Sequence, residues 1–151
     1  MSNQNLRTLF QLVVRRFGFL NEQCCNQCCN QDISVAQSHI IFETSRQHNP
    51  SMRDIANALG IDITTFSRQV KALIDKGYVK KTPHPNDQRV QILALTEKGK
   101  DLERNIDDVM NQQLEQILSQ LSDEERSKVT QSIDLLNKAM VNSESYCCPP
   151  Q

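Results

Sequence analysis

Residues 51–99 read SMRDIANALGIDITTFSRQVKALIDKGYVKKTPHPNDQRVQILALTEKG, and this stretch decides the fold. Three elements follow one another with almost no loop. Ser51-x-x-Asp54 forms a cap that opens a short helix, and Gly60 closes it. After a turn of one or two residues, a second helix is expected over about Asp62 to Lys76, stopped by Gly77. Two β-type runs then flank the turn-rich segment Pro83-His84-Pro85-Asn86-Asp87. A short helix, a tight turn and a second amphipathic helix make a helix-turn-helix unit, which reads DNA with its second helix. The strand pair behind it is expected to form a β-wing.

The faces of the second helix agree with that assignment. Ile63, Phe66, Val70, Leu73 and Ile74 recur at helical spacing and make one apolar stripe. The opposite face carries Thr64, Thr65, Arg68 and Lys71. Short hydroxyls and long cations suit base edges and phosphates at close approach. An ordinary solvated helix face is the bland alternative, and it leaves the preceding capped helix and the following wing unexplained.

ALGIDITTFSRQVKALIDKGYV, followed by NDQR and then LALTEKG, resembles the MarR family of bacterial winged-helix regulators over about residues 33–100. Asp87 and Arg89 fall at the family's characteristic wing positions, and Leu95-Thr96-x-x-Gly99 fits the junction between the wing and the next helix. The resemblance implies a homodimeric transcription factor, usually a repressor released by a small ligand or by thiol chemistry. The second helix is expected to place Thr64, Thr65, Ser67, Arg68 and Lys71 in the major groove. Arg89, held by Asp87, would enter the adjacent minor groove, with His84 as a further contact. The expected partner is double-stranded DNA carrying a palindromic operator, bound by two recognition helices about one turn, roughly 34 Å, apart.

Composition is consistent with one domain, or one protomer of an intertwined dimer, at 151 residues. No apolar run is long enough for a membrane span, and MSNQNLRTLF lacks the layout of a signal peptide, so a cytoplasmic protein is expected. The net charge of −1 is segregated. Residues 61–100 hold eight Lys/Arg against four Asp/Glu, whereas residues 101–151 hold four against ten. A chain polarised in this way presents a basic face to phosphate and an acidic remainder to solvent.

The expected fold class is mostly α with a small β-wing: a winged helix-turn-helix core at 33–100, dimerisation helices at 1–32 and 101–142, and an extended tail at 143–151. Leu6, Phe10, Val13, Phe17 and Leu20 place a stripe on a first helix. Ser34-x-x-Gln37 caps a second helix that runs to about Gln47. Strands are favoured at Lys80, Thr82 and Arg89 to Leu95. Thr96 caps a long helix to about Gln120, and Ser122-x-x-Glu125 is a capping box for the last one. The winged core is too small to cover the apolar faces of these outer helices, and a second copy of the chain is the simplest cover.

All six cysteines occur as adjacent pairs: Cys24-Cys25, Cys28-Cys29 and Cys147-Cys148. If the first helix continues through CCNQCC, four sulfurs lie within one to two turns. Three explanations compete. Buried structural thiols are common, since cysteine packs as a small hydrophobe, but CCNQCC is flanked by polar residues. Disulfides fit poorly in a cytosolic chain. A soft-ion site fits best, because thiolates select soft species: arsenite, antimonite, cadmium, zinc or copper as an inducer, with all six cysteines as candidate ligands. No cofactor is expected to be required for the fold. Oxidant sensing is the close rival, and an apolar small-molecule inducer with structural cysteines is the third reading.

An enzyme is the contrasting class. Cys25-Asn-Gln-Cys28 is formally a redox C-x-x-C, yet no βαβ pattern surrounds it. His39, His48 and His84 are scattered, without a nucleophile, base and orienter around them, and no Gly-rich phosphate loop is present. The chain is expected not to be an enzyme.

Overall fold

The computed structural model of the chain describes residues 5–29 and 32–143. Six helices and one hairpin follow in order: α1 (Leu6–Cys29), α2 (Val35–Arg46), α3 (Met52–Leu59), α4 (Ile63–Asp75), β1 (Val79–His84), β2 (Asp87–Leu95), α5 (Glu97–Leu118) and α6 (Asp123–Asn142). The fold is therefore mostly α with a two-stranded wing, as the pattern of caps and periodicities predicts. α1 does continue through the first two cysteine pairs. The tail that carries Cys147 and Cys148 lies outside the described residues.

The caps are where the sequence places them. Ser34, Ser51 and Ser122 each accept from the N3 backbone N–H, and each N3 side chain accepts from the cap's own N–H. Such a cap contributes about 1 kcal/mol relative to alanine. Gly60 closes α3 at φ 63°, a left-handed conformation that costs glycine little, and its N–H donates back to Ala56 and Asn57. Asp62 then accepts from the N–H groups of Thr64 and Thr65, both at 3.1 Å, and α4 begins at once.

The core lies inside the winged lobe. Phe66, Val70 and Leu73 of α4 are fully buried, with Ile40 and Ile41 of α2 and Ile55 of α3. Burying side chains of this size contributes about 1.5–3 kcal/mol each. Ile63 departs from the expected apolar stripe: it is 51% exposed. As the first residue of α4 it sits at the open end of the helix, before the periodic face turns inward.

β1 and β2 pair antiparallel, from Val79 opposite Leu95 to Pro83 opposite Gln91, with a register shift between Pro83 and His84. The inner end of the hairpin is buried at Val79, Leu93 and Leu95, whereas the outer end is exposed. A bridge from Ser51 to Ile92, and the Leu93 N–H donating to the Pro50 carbonyl at 2.9 Å, dock the wing on the start of α3.

The junction into α5 is closely built. The Thr96 hydroxyl donates to the Gly77 carbonyl at 2.5 Å and accepts from the Gly99 N–H at 3.1 Å. The Thr96 N–H donates to the Tyr78 carbonyl, and Lys98 reaches back to the Lys76 carbonyl at 2.8 Å. Gly99 is required by contact rather than by backbone angle, because a Cβ there would land on the Tyr78 carbonyl.

The outer helices keep apolar faces open. Val13, Val14 and Phe19 of α1 are more than half exposed, as are Ile133, Leu135 and Val141 of α6. α6 buries no residue within its own chain and is tied to α5 by the ion pair of Arg126 with Glu115. No helix among the described residues is long and apolar enough to cross a membrane.

The packing predicts that Gly99→Ala destabilises the fold by about 2–3 kcal/mol, since a methyl group must displace backbone. Urea unfolding measures this; a variant within about 0.5 kcal/mol of the wild type contradicts the close approach.

Candidate nucleic-acid interface and thiol cluster

α4 is held to the core by Phe66, Val70 and Leu73 and turns its other face outward. Thr64, Thr65, Arg68 and Lys71 are all exposed on it. Ser67 is half-buried and donates its hydroxyl to the Ile63 carbonyl at 2.7 Å, which leaves its oxygen only as an acceptor. Hydrogen bonds from the Thr65 side chain and backbone hold the Asp62 carboxyl below the usual carboxylate range. The ionised cap fixes the first turn of α4. Among the described residues, neither Arg68, Lys71 nor Arg89 is engaged in an ion pair, so these three cations are available to an external anion.

At the wing tip, Asp87 accepts from the Arg89 backbone N–H at 3.0 Å. Asp87 therefore shapes the turn and leaves the Arg89 side chain exposed; the expected hold on Arg89 acts through its backbone. His84 is half-buried and its Nδ1 accepts from the Asn86 N–H at 3.0 Å, so it serves the turn too.

Further cations flank this surface. Lys80 and Lys81 are exposed on β1, and Arg53 lines a groove with Asn57, Asp62 and Thr64 across the helix-turn-helix. Sequence reasoning passed over these three. The available signal was position: Arg53 stands in the first turn of the helix that crosses the DNA backbone in such units.

The thiols lie elsewhere. Cys24 and Cys25 are 1% and 2% exposed on α1. The Cys24 Sγ lies 3.9 Å from the Met110 Sδ of α5. Burial, with the neighbouring Cys25 second, pushes the Cys24 thiol up. The side chains of Cys28 and Cys29, and the whole of Cys147 and Cys148, fall outside the described residues. Among the described residues, no three of His, Cys, Asp and Glu converge on a common point. His39 and His48 are exposed, and His39 Nε2 lies 3.4 Å from the Asn21 amide.

The segment that follows the cluster grips the reading head. Tyr78 donates its hydroxyl to the Asp32 carboxylate at 2.7 Å, and the Lys76 ammonium donates to the Asp32 carbonyl. Gln37 donates to Gln69 of α4 at 3.0 Å. Asp32 thus stands three residues after Cys29 and holds both the end of the recognition helix and the root of the wing.

A cleft of about 270 Å³ opens beside Met110, between α1, α2 and α5. Phe17, Phe42 and Ile106 line it, with Glu103 and Asp107 at one side. Burial, and then the Asp107 charge, push the Glu103 carboxyl up to about 7.

The MarR family model matches residues 33–90. The HTH-type transcriptional regulator BilQ of Clostridium symbiosum is 26% identical over 125 residues, covering 83% of this chain and 85% of that protein. The HTH-type transcriptional regulator TcaR of Staphylococcus aureus is 28% identical over 108 residues, covering 70% and 71%. The crystal structure of Streptococcus pneumoniae FabT in complex with DNA superposes with a TM-score of 0.77 at 20% identity, covering 91% of this chain and 99% of that one, which shows a shared fold. The two relatives are transcriptional regulators, and the family match falls on the winged lobe, so over that lobe this chain is similar to MarR-type transcriptional regulators.

Proposed function

We propose that the chain is a dimeric, cytoplasmic DNA-binding repressor whose grip on a two-fold operator is switched at its paired cysteines by a soft metal or metalloid ion. The exposed α4 face of Thr64, Thr65, Arg68 and Lys71, capped by Asp62 and flanked by the Arg89 wing, is the observation that carries the DNA-binding reading. FabT, which shares the fold, is seen in complex with DNA. The open apolar faces of α1 and α6 support a second copy of the chain as their cover.

The switch is supported by placement. Cys24 sits against Met110 of α5 with Cys25 buried beside it in sequence, and Asp32, three residues beyond Cys29, holds Lys76 and Tyr78. On this reading a change at the cluster is felt at the recognition helix and wing through Asp32. A few kcal/mol of preference for the DNA-incompetent arrangement is enough to release the operator. The oxidant reading fits Cys24 less well, because oxidation by a dissolved oxidant follows exposure, and Cys24 is 1% exposed. The cleft beside Met110 favours, as a second reading, a small and largely apolar inducer.

With an operator selected from random duplexes, Arg68→Ala is expected to cost about 1–3 kcal/mol of affinity and to relax specificity at one base position. Arg89→Ala is expected to weaken binding across sequences and to lower the salt slope by about one. Anisotropy titrations measure both, and unchanged affinity in the two variants sinks the DNA reading.

Glu103 gives the cleft a pH signature. Its folded carboxyl titrates near 7 against 4.5 for a free one, so the folded state holds this proton more tightly than the unfolded chain does. Its contribution to stability is greatest below the free value and declines as pH rises towards 7. Glu103→Gln, neutral throughout, should therefore exceed the wild type in stability above pH 7, and that advantage should shrink steadily towards pH 4.5. Urea midpoints across this range test it; a difference independent of pH contradicts the buried carboxyl.

A further inference from the structure

We propose that the Cys24 thiolate and the Met110 thioether together bind one monovalent copper ion between α1 and α5, which makes Cu(I) the ion to which the switch responds. The inference rests on the soft-ion reading of the cysteines and names both the ion and a ligand outside the cysteine set.

The distance carries it. The two sulfurs stand 3.9 Å apart on helices whose contact residues are 86 positions apart in sequence. Soft-metal–sulfur bonds of about 2.3 Å to both atoms then subtend roughly 115–120° at the ion, close to a trigonal angle. An ion can take both bonds with no movement of either helix. It also has a way in, because Met110 lines the open cleft while Cys24 lies buried behind it.

Donor chemistry selects the ion. A thioether is a soft, neutral donor that suits Cu(I), whereas Zn(II) prefers thiolate or imidazole and four ligands. No group of three His, Cys, Asp or Glu side chains converges among the described residues. Arsenite and antimonite form covalent bonds to thiolates and gain little from a thioether. Cu(I), by contrast, takes two sulfurs in line or three donors at about 120°, so at the angle set by Cys24 and Met110 a small exogenous donor entering by the open cleft completes the ion. Charge points the same way. Cys24 releases its proton to solvent when it binds, and one thiolate with one monovalent cation is neutral. A divalent ion on the same two sulfurs would leave a net positive charge in a buried place.

The consequence is mechanical. A bound ion replaces a weak thiol–thioether contact with two coordinate bonds, and so fixes α1 against α5. α5 leads without a break into the Thr96–Gly99 junction and the wing.

The test uses the full reduced chain labelled with selenomethionine and loaded anaerobically with Cu(I). Selenium-edge absorption should show a copper scatterer bonded to selenium. That signal should vanish in Met110→Leu, which conserves volume and keeps the fold, and in Cys24→Ser. Operator release by Cu(I) should be lost or strongly weakened in Met110→Leu, while Cys25→Ser retains the selenium–copper signal. Copper that binds the wild type with no selenium–copper contact overturns the proposal, and so does a contact that persists in Met110→Leu. If arsenite or cadmium releases DNA and Cu(I) does not, the soft-ion switch stands and the copper assignment falls. If the selenium–copper contact forms and no ion alters operator affinity, the site stands and the switch reading falls.

Discussion

The close approach of Gly99 to the Tyr78 carbonyl is the constraint on which the rest of the structure depends. It brings three elements to one point: the end of α4, the root of the wing and the first turn of α5. Thr96 reinforces the point from both sides, donating to Gly77 and capping α5. Lys98 closes it by reaching the Lys76 carbonyl and lying 4.5 Å over the Tyr78 ring. With these contacts made, the exposed face of α4 has a fixed attitude towards the long helix. The recognition helix and α5 are thereby packed as one close-built unit rather than joined by a loose loop.

The division of labour along the chain follows from what each helix buries. α4 spends its apolar residues on the core and keeps short hydroxyls and cations outside. α6 buries nothing in its own chain and carries its apolar residues outward. Charge is distributed in the same sense, with the excess of Lys and Arg between residues 61 and 100 and the excess of Asp and Glu beyond 100. The acidic excess includes Glu103 and Asp107, which meet at one cleft and raise the proton affinity of Glu103.

What was legible in the sequence was local. Ser51-x-x-Asp54, Gly60 and Ser122-x-x-Glu125 declare helix ends because the cap and its partner lie within four residues of each other. The reading face of α4 was legible for the same reason, apart from Ile63, whose place in the first turn overrides its period. Contacts made across the chain left no such trace. Nothing in the spacing announces that Asp32 holds Tyr78 and Lys76, or that Met110 stands against Cys24, because each pair is separated by more than forty residues. Gly99 lies between these cases. Its motif was readable, but its reason, the carbonyl of Tyr78, emerges only from the packing. The paired cysteines were conspicuous in sequence, while the burial of Cys24 beside Met110 emerges only from where α5 passes.

The most direct measurement of the central claim, that two copies of this rigid winged lobe read DNA together, is selection of bound sequences from a pool of random duplexes. The account predicts a two-fold symmetric motif whose half-sites are centred about one helical turn, roughly 10–10.5 base pairs, apart. Each half-site should pair a major-groove contact with a flanking minor-groove one. An enriched motif without two-fold symmetry, or no enrichment at moderate salt, would contradict it.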